Sequence, residues 1–154
     1  MNHKNDIGFV VTELINDNNT DNILNCIKQY INNNPFDQIV IFNSFCDKID
    51  TKNIPILHLS HAQFFSGKLV LFDLIGILLS KSFPNVTKKY FYATDIPWLS
   101  SPHTPYSEWV GLYSDPNLHL ISSNKELYDI YQLMWKKPVG ISEDFSYETI
   151  KNIL

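Results

Sequence analysis

The chain has 154 residues, 44% of them apolar and 18% charged, and its net charge is −4. That length suits one domain able to bury roughly 70% of its unfolded surface, and the composition excludes a disordered chain. The balance of charge supplies no basic field for nucleic acid or anionic lipid. The longest apolar run, LVLFDLIGILL at 69–79, falls far short of the ~20 residues of a membrane span.

Taken in chain order, apolar runs suited to strands alternate with segments of helical period. The start, MNHKNDIGFVV, lacks a long apolar stretch behind a basic flank and does not read as a signal peptide. IGFVVTEL (7–14) predicts a first strand. A polar loop then offers Thr20 or Asp21 as cap for ILNCIKQYI, with apolar residues at 23, 24, 27, 30 and 31. INNNP stops that helix, since Pro35 forbids continuation. QIVIFNSF (38–45) and IPILHLS (54–60) predict the second and third strands, and a helix over 68–82 follows, opened by Ser66 and Gly67. KKYFYAT (88–94) and NLHLISS (117–123) predict two more strands. Asn124 caps a helix over 125–137, PVGIS reads as a short sixth strand, and Ser146 caps a closing helix.

This alternation predicts a single Rossmann-like three-layer α/β domain over 1–154, with a mainly parallel sheet of about six strands. Ligands of such sheets sit outside the carboxyl ends of the strands. The positions to watch are therefore Thr12, Glu13 and Asn16; Asn43, Ser44 and Cys46; His58, Ser60 and His61; and Thr94, Asp95 and Trp98.

All twelve basic residues are lysine. Together with abundant Asn and Ile this indicates an A/T-rich genome, such as that of a bacteriophage, an endosymbiont or a low-GC bacterium. It also removes any bidentate guanidinium clamp for phosphate or carboxylate. Cys26 and Cys46 lack metal-ligand spacing and read as reduced thiols of a cytoplasmic protein.

Two stretches carry candidate chemistry. In HLSHAQFFSGK, a helix start at Ser66, Gly67 and Lys68 would hold a phosphate, or Ser66 simply caps and Gly67 packs closely. No P-loop or GxGxxG is present, so no nucleotide cofactor is expected, and His58 and His61 lack a third ligand for zinc. Asp73, inside an apolar run, faces solvent, caps a neighbouring loop or, as the remotest reading, acts in catalysis. In FYATDIPWLSSPHTPYSEW (91–109), Asp95 and His103 offer an acid–base pair, and Trp98, Tyr106 and Trp109 beside Glu108 suit sugar stacking. The same rings also suit a protein interface, or a loop folded back over the sheet.

The C-terminal third, HLISSNKELYDIYQLMWKKPVGISEDFSYETIKNIL, resembles the end of the first Rossmann-like domain of GT-B glycosyltransferases: a strand ending in a small polar residue, a helix, a short strand and an acidic turn, SEDF. With YATDIPW after the fourth strand, the whole chain is similar to one such acceptor-type domain. It departs from those enzymes in lacking a second domain and its pyrophosphate clamp. The resemblance implies a sugar or nucleotide-sugar ligand in a crevice of Glu13, His61, Lys68 and Asp95. Asp95 or Glu13 would be the base there, and Lys68 would meet phosphate. The competing expectation is a non-enzymatic phage accessory module that docks a protein partner, or a second copy of itself, through the aromatic stretch 95–113.

Overall fold

The computed structural model describes residues 6–14, 18–34, 38–46, 53–101 and 103–154. In chain order its strands are β1 (Ile7–Val10), β2 (Glu13–Leu14), β3 (Ile39–Asn43), β4 (Phe45–Cys46), β5 (Ile56–His58), β6 (Gly67–Leu71), β7 (Val86–Ala93), β8 (Leu118–Ser122) and β9 (Gly140–Ile141). The helices are α1 (Asn18–Asn33), α2 (Leu74–Ser80), α3 (Pro97–Ser100), α4 (Tyr106–Tyr113), α5 (Lys125–Met134) and α6 (Tyr147–Ile150). A 3-10 segment, Leu59–Phe64, joins β5 to β6.

Seven strands form one sheet in the order β5-β3-β1-β6-β7-β8-β9, every neighbouring pair parallel. Numbered by their own succession along the chain, these strands run 3-2-1-4-5-6-7. Strand order therefore reverses between β1 and β6, as it does in Rossmann-like sheets. The remaining strands, β2 and β4, make a small parallel pair beyond the ends of β1 and β3.

Both faces of the sheet are covered, which is why β1 and β3 are buried at every position. On one face Val10, Phe42, Leu69, Leu71, Phe91 and Leu120 pack against the 3-10 segment, α2, α4 and α5. On the other, Phe9, Ile41, Val70, Tyr92 and Ile121 meet Leu24 and Ile27 of α1 and Ile150 of α6. Among the described residues no helix is long and apolar enough to cross a membrane.

One expected element is overturned. The segment 68–82, expected as a single helix, is a strand followed by a helix: β6 lies between β1 and β7, and only Leu74–Ser80 is helical. A central strand buried on both faces carries the same unbroken apolar run as a buried helix, so periodicity cannot separate the two. Asp73 marks the junction. Its Oδ1 accepts from Gly76 N at 2.6 Å as the N-cap of α2, and its Oδ2 accepts from Thr12 N at 3.0 Å and Thr12 Oγ1 at 2.5 Å. The sheet accordingly has seven strands rather than six.

Smaller departures are local. The first two expected strands each break, into β1 and β2 and into β3 and β4. Helix α1 begins at Asn18, so Thr20 and Asp21 lie in its first turn instead of capping it. Asn124 does cap α5, its Oδ1 accepting from Leu127 N at 2.8 Å. Cys26 is a free, buried thiol.

Candidate functional site

The carboxyl end of the sheet is built around the reversal between β1 and β6. Thr12 follows β1 and Asp73 follows β6, and the hydrogen bonds between them span the gap directly. Beside this clasp, on the α1 face, lies a cavity of about 110 Å³. Asn22 and Ile23 of α1 form one side, Phe72 and the end of β7 (Tyr92 and Thr94) form the floor, and Glu143, Asp144 and Phe145 close it from the turn after β9.

Three rings make the apolar wall. Phe72 and Phe145 have centroids 4.7 Å apart, Tyr92 and Phe145 4.8 Å, and Phe72 and Tyr92 6.0 Å, all inclined toward edge-on contact. Phe145 is 1% exposed and has φ 52°, a left-handed conformation that a bulky side chain adopts only when its surroundings hold it there. The ring cluster does so. Tyr92 Oη also grips the turn, donating to Ser142 O at 2.8 Å, while Ser142 N donates to Ser122 O at 2.9 Å. The turn that carries the two carboxylates is thus fixed from both sides.

The electrostatics of the cavity are one-sided. Burial pushes the Tyr92 phenol up to about 12, and the nearby charge of Asp144 pushes it the same way. Cys26 is raised to about 12 by the same two causes, burial first. Both groups stay neutral, and Asp144 projects a negative field onto the wall. Among the described residues lining the cavity none is basic.

Of the residues expected to form a site, Asp95 lies nearest this cavity in sequence. It is exposed next to Thr94, and its carbonyl accepts from Tyr131 Oη at 3.3 Å. The expected crevice of Glu13, His61, Lys68 and Asp95 does not form. Lys68 pairs in register with Lys88, five residues before Ala93, so about 16 Å of strand separates it from the carboxyl end. Its Nζ donates instead to Leu154 O at 2.6 Å. His61 sits exposed on the 3-10 segment, beside a separate hollow shared with Leu57, Phe64 and Ser66, and Glu13 is exposed on β2.

Ser66, Gly67 and Lys68 do not open a helix; they lead into β6 at the amino end of the sheet, so no helical N–H cradle exists there. Gly67 has φ 152°, and a Cβ on it would meet Asp6 O at 2.5 Å. Its glycine serves the backbone. His58 Nδ1 lies 3.3 Å from Ser60 N, which donates to it at the start of the 3-10 segment. Among the described residues no three His, Cys, Asp or Glu side chains gather as metal ligands.

The aromatic stretch 91–109 runs from the end of β7 through α3 to the start of α4, and of its rings Phe91, Tyr92 and Trp109 are buried. Trp109 is 3% exposed and Tyr113 2%. Trp98 packs edge-on against Tyr113, Tyr131 and Trp135 at 5.8, 5.2 and 5.6 Å. These rings cover the sheet, and Trp109 is core rather than a stacking platform. Tyr106, 67% exposed, reaches Trp135 at 5.7 Å, while His103 and Glu108 are exposed.

Asn22, Phe72, Tyr92, Glu143, Asp144 and Phe145 had no place among the expected site residues. The acidic turn SEDF was the one available signal, because it follows a strand at its carboxyl end.

The fold and this cavity define a Rossmann-like α/β domain with an acidic, aromatic-walled hollow at the carboxyl end of its sheet. Comparison with protein-family models, with curated proteins and with solved structures gave no match for this chain.

Proposed function

We propose that the chain is a glycosyltransferase-like sugar-binding protein that holds a hydroxyl-rich ligand in the cavity between α1, the end of β7 and the turn after β9. The observation that carries this reading is the lining. An aromatic wall of Phe72, Tyr92 and Phe145 stands beside an amide (Asn22), a hydroxyl (Thr94) and two carboxylates (Glu143 and Asp144). Sugars offer pairs of hydroxyls to carboxylate and amide oxygens and an apolar C–H edge to the half-buried Phe72, while Tyr92 (6% exposed) and Phe145 (1%) serve as its rigid backing. A few placed polar groups on a mostly apolar wall are what fix orientation in small-molecule sites. The position also agrees with the rule that open α/β sheets bind ligands outside the strand ends.

The role proposed is binding: the two carboxylates are consecutive, and the described residues of the lining include no basic side chain. A panel of monosaccharides and nucleotide-sugars, followed by thermal shift, tests the reading. At a hundredfold excess over Kd a ligand specific for the folded state stabilises by about 2.7 kcal/mol. No shift with any sugar at millimolar concentration would overturn it.

A second reading rests on a different observation. Leu99 (72% exposed), Tyr106 (67%) and Leu133 (85%) stand out from α3, α4 and α5. A phage accessory module that docks through this side would show a complex in light scattering where a monomeric sugar binder would not.

A further inference from the structure

We infer that α5 pairs with the same helix of a second copy of this chain, antiparallel, about a two-fold axis that crosses it between Ile130 and Leu133. The inference rests on the docking reading above and names its partner; the sugar cavity lies on the opposite face of the sheet and plays no part in it. Helix α5 packs on the sheet through Leu127 and Tyr131, which are 7% and 0% exposed. Away from them runs a stripe at helical spacing: Glu126, Ile130, Leu133 and, three residues past the helix end, Lys137. Leu133 is 85% exposed and the adjacent Met134 48%, while Ile130 is half-buried. Among the described residues no large apolar side chain is more exposed than Leu133, and covering it against another apolar surface is favourable.

The charges along this stripe choose the partner. Acid stands at one end and base at the other: Glu126 and Asp129 lie in the first half of the helix, Lys136 and Lys137 beyond its last residue. Lys125 already pairs with Asp129 at 2.5 Å, and Lys136 Nζ donates to Asp115 O and Leu118 O, which leaves Glu126 and Lys137 for an outside partner. Seven helical residues separate Glu126 from Leu133, about 10 Å at 1.5 Å per residue, so Glu126 and the more distant Lys137 do not meet within one copy. The antiparallel two-fold sets Ile130 on the partner's Leu133 and Glu126 against the partner's Lys137, and symmetry repeats both contacts. It also opposes the two helix dipoles. A parallel pair would bring glutamate onto glutamate and lysine onto lysine. An anionic membrane would be repelled by Glu126 and Asp129 beside the leucine. One face of a ten-residue helix offers less than the ~800 Å² per partner of a standard interface, so this dimer belongs to the weak, concentration-dependent class.

The test is sedimentation equilibrium at low ionic strength, from about 10 μM to about 1 mM chain. Leu133→Asp is expected to weaken the parent dimer at least roughly tenfold. Glu126→Lys alone and Lys137→Glu alone should each weaken it severalfold, and less so in high salt, because like charges then face each other across the axis. Mixed in equal amounts, those two variants should pair again, since each supplies the charge that the other lacks. All three positions are exposed, so the variants keep the fold, as unchanged melting temperatures would verify. A parent chain that stays monomeric throughout would overturn the inference and leave the docking reading to a different partner. A dimer that survives Leu133→Asp would overturn it too, with the docking surface elsewhere on the chain. Charge-reversed variants that fail to recombine would overturn the antiparallel two-fold.

Discussion

Two aromatic clusters flank the carboxyl end of the same sheet, one on each face. On the α1 side Phe72, Tyr92 and Phe145 border an open hollow, with carboxylates, an amide and a hydroxyl at its rim. On the other side Trp98, Trp109, Tyr113, Tyr131 and Trp135 close on one another; the two tyrosine hydroxyls meet, while Trp135 Nε1 is buried with no hydrogen-bond partner among the described residues. Tyr131 Oη donates to Asp95 O at 3.3 Å and lies 3.5 Å from Tyr113 Oη. The larger cluster dominates the sequence and the smaller one borders the cavity. Rings locate a core as readily as a site, and it is the opening beside them, lined here by exposed Asn22, Thr94, Glu143 and Asp144, that distinguishes the two.

The comparison breaks most sharply at Trp109. Trp109→Ala removes a 3%-exposed ring from the closed cluster and should cost about 3–5 kcal/mol, read by urea denaturation. If it folds, its sugar affinity should match that of the parent chain. A large loss of affinity without loss of stability would mean that the closed cluster is the site.

Asp73 comes next. It joins the two halves of the sheet at the reversal, and Asp73→Ala removes the cap of α2 and leaves Thr12 N without its acceptor. A loss of about 2 kcal/mol is expected in the same measurement, with ligand affinity falling only as far as the reversal loosens. A neutral result would mean that solvent replaces the carboxylate and that the clasp does not hold the crevice.

That residue also shows what could be read before the structure. The alternation of elements, the parallel sheet and the cap at Asn124 were legible, since each rests on local pattern. For Asp73, capping a neighbouring loop was one of the open readings and it holds, but Thr12, 61 residues away, was not legible as the partner, and a central strand looks like a buried helix. Thr94 was placed at a strand end from pattern alone and lines the cavity. Asn22, Phe72 and Asp144 reach it from three distant parts of the chain, and no local signal joins them. For Trp109, of the three readings open in the sequence, folding back over the sheet holds and sugar stacking does not, because helical packing turns the ring inward.

Asp144→Asn probes the open side gently. The residue is exposed, so stability near neutral pH should change by no more than about 0.5 kcal/mol. The alkaline limb should respond. Burial holds the Tyr92 phenol up at about 12 in the folded chain against 10.0 for a free phenol, so between those values the folded state keeps a proton that the unfolded state loses. Its contribution is full below about pH 10 and is lost as pH rises toward 12. Removing the Asp144 charge should shift the Tyr92 transition, read by ultraviolet absorbance, to lower pH. Burial should still hold it above the ordinary value, because burial is the larger cause. No movement would mean that Asp144 faces away from the wall.

The smallest effect is expected at Tyr106, where the closed cluster meets solvent. Its ring is 67% exposed and touches Trp135 at 5.7 Å, so Tyr106→Ala should change stability by no more than about 0.5 kcal/mol. It should leave sugar affinity unaltered, since the ring lies on the opposite face from the cavity. Sedimentation over a range of concentrations then separates the two readings of this face. If the parent chain self-associates and the variant does not, Leu99, Tyr106 and Leu133 form a contact surface, and the closed cluster is its rigid support. If both are monomers at every concentration, the exposed ring is only the outer edge of a core. The functional asymmetry between the two clusters then stands unaltered.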